Sequence, residues 1–158
     1  MPAAAKATLS DSPLAALRSV GKTFPNGVVA LDGLDFAVEA GEFLSLLGPS
    51  GCGKSTALRL LAGLTEPSAG EIARHETARD IGFVFQEPTL MPWATVAANV
   101  SLPLRLKHTS RADTAARVEE ALALVGLEEF RNAYPRELSG GMKMRVSIAR
   151  ALVTRPQL

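Results

Sequence analysis

The 158 residues include one cysteine and two histidines. A single cysteine rules out an internal disulfide and fits a reducing compartment, the cytoplasm. His75 and His108 have no companion ligands at a useful spacing, which removes a histidine-based metal centre, and both are expected to be exposed and inert. The net charge is +1 and no dense Lys/Arg block occurs, so no nucleic-acid partner is expected. No apolar run approaches ~18 residues, the length at which a helix begins to cross a membrane. The stretch Met1 to Pro13 has Ala and Ser but no long apolar core; it is a poor signal peptide and is expected to be a disordered leader. What is present, 47% hydrophobic with 21% charged residues, is the balance of a single globular domain able to bury a core.

The stretch Gly48-Pro49-Ser50-Gly51-Cys52-Gly53-Lys54-Ser55-Thr56 fits G-x-x-x-x-G-K-[ST], the phosphate-binding loop. Glu42 to Leu47 before it reads as a short apolar strand, and Ala57 to Ala62 after it as a helix ending at Gly63. Glycines let successive N–H groups curl around one anion, and the helix N-terminus adds partial positive charge. Lys54 is placed to reach the β- and γ-phosphates, and the Ser55 hydroxyl to ligate Mg²⁺. The bland alternative is a Gly/Ser-rich turn matching by chance, which the correct flanks on both sides disfavour. A nucleoside triphosphate is the expected ligand.

Taken in order, Leu14 to Val20 reads as an opening strand ending at Gly21, and Phe24-Pro25-Asn26-Gly27 as a turn. Val28 to Leu31 resumes extended structure, and Leu34, Phe36 and Val38 alternate with Asp35, Ala37 and Glu39 as a half-buried strand. Phe24 reads from spacing alone as a core or turn residue, with stacking on an adenine as the alternative. Pro67 to Gly70 is a break, and Asp80 to Gln86 an apolar strand. Gln86 at its end sits where binding groups collect in open α/β sheets, to touch metal or attacking water; a polar strand-end residue satisfied by backbone is equally compatible. Trp93, in the loop Thr89-Leu90-Met91-Pro92-Trp93, is either buried or an anchor for a partner's pocket. Thr95 to Val100 is expected to be a short helix, with Pro103 interrupting the stretch beyond it. Ser110-Arg111-Ala112-Asp113 is a capping box that opens a helix buried through Val118, Leu122 and Val125 and ended by Gly126. Arg117, Glu119 and Glu120 read as its solvated face.

Glu137-Leu138-Ser139-Gly140-Gly141-Met142 precedes another helix, with Val146, Ala149 and Val153 on its buried face. Ser139 is placed as its N-cap, and the two glycines leave backbone N–H groups open to an anion. This is a second phosphate cradle, without a lysine. It is redundant for a nucleotide already held by residues 48–56 unless it serves the nucleotide of a different molecule.

These motifs resemble the Walker A loop (Gly48–Thr56), the Q-loop (Gln86) and the signature (Leu138 to Met142) of ATP-binding-cassette ATPases, over roughly residues 14–158. The resemblance implies an α/β P-loop NTPase fold: a parallel core sheet, an N-terminal antiparallel β subdomain and a helical subdomain at about 87–139. It also implies ATP and Mg²⁺ as cofactors, and a head-to-tail partner subunit whose ATP meets Ser139, Gly140 and Gly141. Phe24 then takes the adenine-stacking place and Gln86 the metal-sensing one. Transmembrane permease subunits become the expected partners of the helical part and of Trp93, and a solute-binding protein an indirect one. The subunit belongs on the cytoplasmic face of the membrane. Pro88 to Trp93, with Val96, Asn99-Val100 and Leu102-Pro103-Leu104, resembles importers of the nitrate/sulfonate/taurine type. So does Gly141-Met142-Lys143-Met144-Arg145-Val146, where many cassettes carry Gln-Arg-Gln-Arg. Importers of pyrimidine precursors of thiamine are similar as well, so the solute stays open.

The chain departs from that pattern after Arg155-Pro156-Gln157-Leu158, where the family continues with an apolar strand ending in Asp-Glu, a D-loop and a switch histidine. The expectation is a C-terminally truncated cassette, a fragment of a longer ATPase subunit that hydrolyses ATP negligibly by itself. The segment Gly70 to Gln86 is also short, so its hairpin is expected to be trimmed. Rival readings are a nucleotide-binding remnant without turnover and a cassette protein of DNA repair or translation. The latter brings long coiled-coil insertions or a second cassette, and neither occurs between Lys54 and Ser139.

Overall fold

A computed structural model describes residues 13–75 and 80–158. The expected leader therefore lies, except for Pro13, outside the described residues. Packing divides the chain into two compact units, Met1–Arg79 and Asp80–Pro156.

The first unit is built on β1 (Ala15–Thr23), β2 (Val29–Val38), α1 (Lys54–Leu61) and β3 (Ala69–Arg74). The strands form an antiparallel sheet in the order β2-β1-β3. Leu17 stands opposite Phe36 on one side and Ile72 on the other. β1 runs past the expected stop at Gly21, and the two segments expected around 28–38 are one strand. A bulge between Leu17 and Val20 absorbs one extra residue: Ser19 takes φ 48°, and its N–H donates to Asp35 Oδ1 at 2.7 Å. β3 begins inside the expected break, because Ala69-Gly70-Glu71-Ile72 shows no alternation that would announce a strand.

α1 packs on β1 and β2 through buried Ala57, Leu60 and Leu61. Its last turn is fully satisfied. Gly63 at φ 71° lets the Leu64 N–H reach back to Arg59 O at 2.8 Å, while Ala62 N–H bonds Leu58 O. Arg74 of β3 donates to the remaining carbonyls, Leu60 O at 2.7 Å and Leu61 O at 2.9 Å. A cation at the negative end of the helix adds favourable electrostatics.

The second unit holds α2 (Val96–Leu106), α3 (Arg111–Leu124) and α4 (Gly140–Leu152), with 3-10 turns at Glu128–Phe130 and Pro135–Glu137. Ser110 and Ser139 are the N-caps expected from the sequence and Thr95, expected inside its helix, is a third; each accepts from the N–H three residues on. Val100, Leu104, Leu122, Leu127 and Val146 fill its core, each at or below 1% exposure. Pro103 does not break α2, contrary to expectation. The face of Val96, Val100 and Leu104 is buried on both sides of it, and that packing outweighs one missing backbone hydrogen bond.

The antiparallel and helical parts match the expected fold class. The parallel strands expected at Glu42–Leu47 and Asp80–Gln86 are not assigned, since neither segment has a ladder partner among the described residues. A strand exists by its ladder, whatever its apolar content. Phe43 and Leu47 are consequently above 90% exposed. His108 is exposed as expected, whereas His75 is half-buried and its backbone N–H donates to Leu14 O.

Candidate functional site

Residues 48–56 form one continuous loop that closes on the first turn of α1. Gly53 is the N-cap of α1 at φ 94°, with no side-chain cap, so the first-turn N–H groups of Lys54, Ser55 and Thr56 are left for an anion. No other residue fits at Gly53. A Cβ there would fall on Ala30 O and within 2.7 Å of Leu31 Cδ2, because the loop lies against β2 at this point. Lys54 folds across the loop: its ammonium donates to Gly48 O at 2.7 Å and Pro49 O at 2.6 Å, with Cys52 Sγ at 3.4 Å. The lysine is thus tied to two backbone carbonyls of its own loop. Ser55 is exposed at the rim.

Among the described residues no group of His, Cys, Asp or Glu is assembled to hold a metal. Mg²⁺ keeps several waters and is held by phosphates plus one or two protein oxygens. Ser55 fits such a role.

Phe24 caps the β1–β2 hairpin. Its N–H donates to Val28 O and its carbonyl accepts from Gly27 N–H, both at 2.9 Å. The ring is 37% exposed, with Lys22 Nζ 5.6 Å from its centroid. It is therefore a partly exposed turn residue, not a core residue.

The remaining predicted residues belong to the second unit. Gln86 is exposed at a bend. Leu138, 6% exposed, anchors the start of the signature in the helical core. Glu137 Oε2 accepts from Tyr134 N–H at 2.6 Å, tightening the turn that delivers it. Ser139 Oγ accepts from Met142 N–H at 3.3 Å, and Lys143 N–H donates to Ser139 O. Gly140 and Gly141 are left exposed, with open space where a Cβ would stand. The N–H groups of Gly140 and Gly141 are thus left without a helical acceptor at the start of α4.

Two residues of this unit carry more than their sequence positions suggested. Asn99, fully buried on α2, fastens the loop that presents Trp93. Its Oδ1 accepts from Met91 N–H at 2.7 Å, and its Nδ2 faces the carbonyls of Met91, Ala94 and Thr95 at 3.0–3.2 Å. Trp93 itself is 76% exposed, which rejects the buried reading. Arg150 on α4 donates to Pro88 O at 3.0 Å, Thr89 O at 2.9 Å and Thr89 Oγ1 at 2.9 Å. Partial burial lowers its pKa from the ordinary guanidinium value. The only sequence signal for Asn99 was a polar residue within an apolar helical face, and Arg150 reads from the sequence as lying off the buried face of its helix.

A protein-family profile described as ABC transporter matches residues 31–158. Over 144 residues the chain is 48% identical to the aliphatic sulfonates import ATP-binding protein SsuB of Rhodopseudomonas palustris (strain BisA53), covering 90% of this chain and 50% of that protein. It is 46% identical over 157 residues to the spermidine/putrescine import ATP-binding protein PotA of Salmonella typhimurium, covering 94% of this chain and 41% of PotA. The chain therefore spans about half the length of these curated relatives. Among solved structures it resembles a dimeric post-hydrolysis state of the ATP-binding cassette MJ0796 bound to ADP and Pi. The TM-score is 0.81 at 37% identity, over 90% of this chain and 70% of that one. With a phosphate loop, a second open helix start and a profile match over most of its length, the chain belongs to the ABC transporter family.

Proposed function

We propose that residues 1–158 are the ATP-binding part of an importer's ATPase subunit. The observation that carries this reading is the coexistence of two anion-open helix starts, α1 with Lys54 and α4 without a lysine. One nucleotide uses the first, and a second copy's nucleotide uses Ser139, Gly140 and Gly141. When ATP arrives, Lys54 trades the Gly48 and Pro49 carbonyls for phosphate oxygens, Gly48 to Thr56 wrap the phosphates, and Ser55 ligates Mg²⁺. Phe24 stacks its ring on the adenine. Gln86 meets the metal or the attacking water at the junction to a helical subdomain at about 87–139.

Trp93, exposed on a loop that Asn99 holds rigid, docks the subunit on transmembrane permease partners; a solute-binding protein acts through them. That assembly places the chain peripherally on the cytoplasmic face. The names of its relatives, sulfonate and spermidine/putrescine import proteins, support a small charged solute, with the sulfonate type favoured by identity.

The test is alkylation of Cys52, the only cysteine. Saturating MgATP is expected to slow it severalfold in the wild-type chain. Unchanged alkylation would overturn the assignment.

A further inference from the structure

Arg150 and Ser139 stand at opposite ends of α4, about 17 Å apart at the helical rise. The Ser139 end carries the open N–H groups of Gly140 and Gly141. The other end grips the loop just after Gln86: three hydrogen bonds from one guanidinium reach Pro88 O, Thr89 O and Thr89 Oγ1. The gripped backbone is not relaxed. Thr89 sits at φ 47°, a left-handed conformation that a β-branched residue adopts only when its surroundings impose it. On the far side of that loop, Asn99 fixes Met91 from α2, and α2 packs on α4. The segment 88–91, just after Gln86, is thus clasped by α4 at one end and by α2 at the other.

We propose that Arg150 is a positioning residue that makes the Gln86 loop and the signature helix α4 move as a single element, so that any displacement of the Ser139 cradle is felt at Gln86. The functional meaning of this linkage rests on the reading given under Proposed function; the linkage itself does not. The grip is specific to arginine. Its planar fork serves two carbonyls and a hydroxyl together, whereas a lysine ammonium is a single point charge on a flexible stem.

Native-state hydrogen exchange at low denaturant tests this directly. In the wild-type chain the amides of 89–91 and those of α4 are expected to open with the same denaturant dependence. In Arg150→Ala the 89–91 amides should exchange at least about tenfold faster and follow their own shallower dependence, while α4 amides 143–149 stay within about twofold of wild type. Ethylguanidinium at millimolar concentration should restore protection to the loop, and ethylammonium should not. Arg150→Lys serves as the second variant should Arg150→Ala not fold, and it is expected to show the same separation in smaller degree. The proposal is overturned by unchanged exchange at 89–91, by a rise spread evenly over the loop and α4, or by equal rescue with ethylammonium. Cys52 protection by MgATP, measured on the same samples, reports separately on the ATP-binding assignment.

Discussion

At the scale of the residue, the phosphate loop shows how little freedom its chemistry leaves. Lys54 is bound to Gly48 O and Pro49 O, so Lys54→Ala removes the loop's internal tie and, on the proposed function, its phosphate contact. Charge-assisted hydrogen bonds contribute about 1.5–3 kcal/mol each, so MgATP affinity should fall by at least about tenfold, read as loss of Cys52 protection. Gly53→Ala meets a different obstacle. Positive φ costs about 1–2 kcal/mol for a residue with a Cβ, and the added carbon has nowhere to go against Ala30 and Leu31. A lowered melting temperature of the first unit together with lost nucleotide binding is the expected result; an unchanged melt would show that the loop does not lie against β2. These positions were legible in the sequence because the motif states their chemistry. Asn99 was not. A lone asparagine in Val96-Ala97-Ala98-Asn99-Val100 announces neither its burial nor its four bonds, which depend on a loop folding back from Met91 to Thr95. Asn99→Leu should cost about 2–4 kcal/mol, since it strands a buried N–H and several carbonyls. Asn99→Asp should cost at least as much, because it turns an oxygen toward three carbonyls. Equilibrium denaturation followed by Trp93 emission measures both.

At the scale of the element, capping signals were the most reliable guide. Ser110 and Ser139 each open a helix by the bond that their position implies, because an N-cap is decided within four residues. Replacing Ser139 by Ala should therefore loosen the first turn of α4 and cost about 0.5–2 kcal/mol in denaturant. The same substitution leaves the Gly140 and Gly141 N–H groups present but less well aimed. Strands were harder to read. β3 has no alternation because it packs beside β1 with small residues, and its existence depends on a neighbour more than forty residues earlier. Conversely, 42–47 and 80–86 have strand-like composition and no ladder. Local pattern predicts what a segment can do; pairing, which is non-local, decides what it does. Pro103 teaches the same lesson for helices, since the buried face on both sides of it overrides a local breaker.

At the scale of the whole molecule, each unit is organised around one helix start, and each helix is secured at its far end by an arginine from or to its own unit. Arg74 closes the C-terminus of α1, and Arg150 on the last turn of α4 reaches the loop after Gln86. Apolar side chains near 42–47 stand in water, Phe43 at 92% and Leu47 at 91% exposure. Such residues drive self-association when they form a contiguous patch. Light scattering of the concentrated chain should show association, and Phe43→Lys with Leu47→Lys should reduce it; a monodisperse wild-type sample would count against this. The placement of two rare residues has a practical consequence. The only cysteine lies in the first unit and the only tryptophan in the second. The chain therefore has a natural pair of reporters, a thiol whose reactivity tracks one unit and an indole whose emission tracks the other. Unfolding monitored through both in one titration would tell whether the two units melt together or apart, with no label added to the protein.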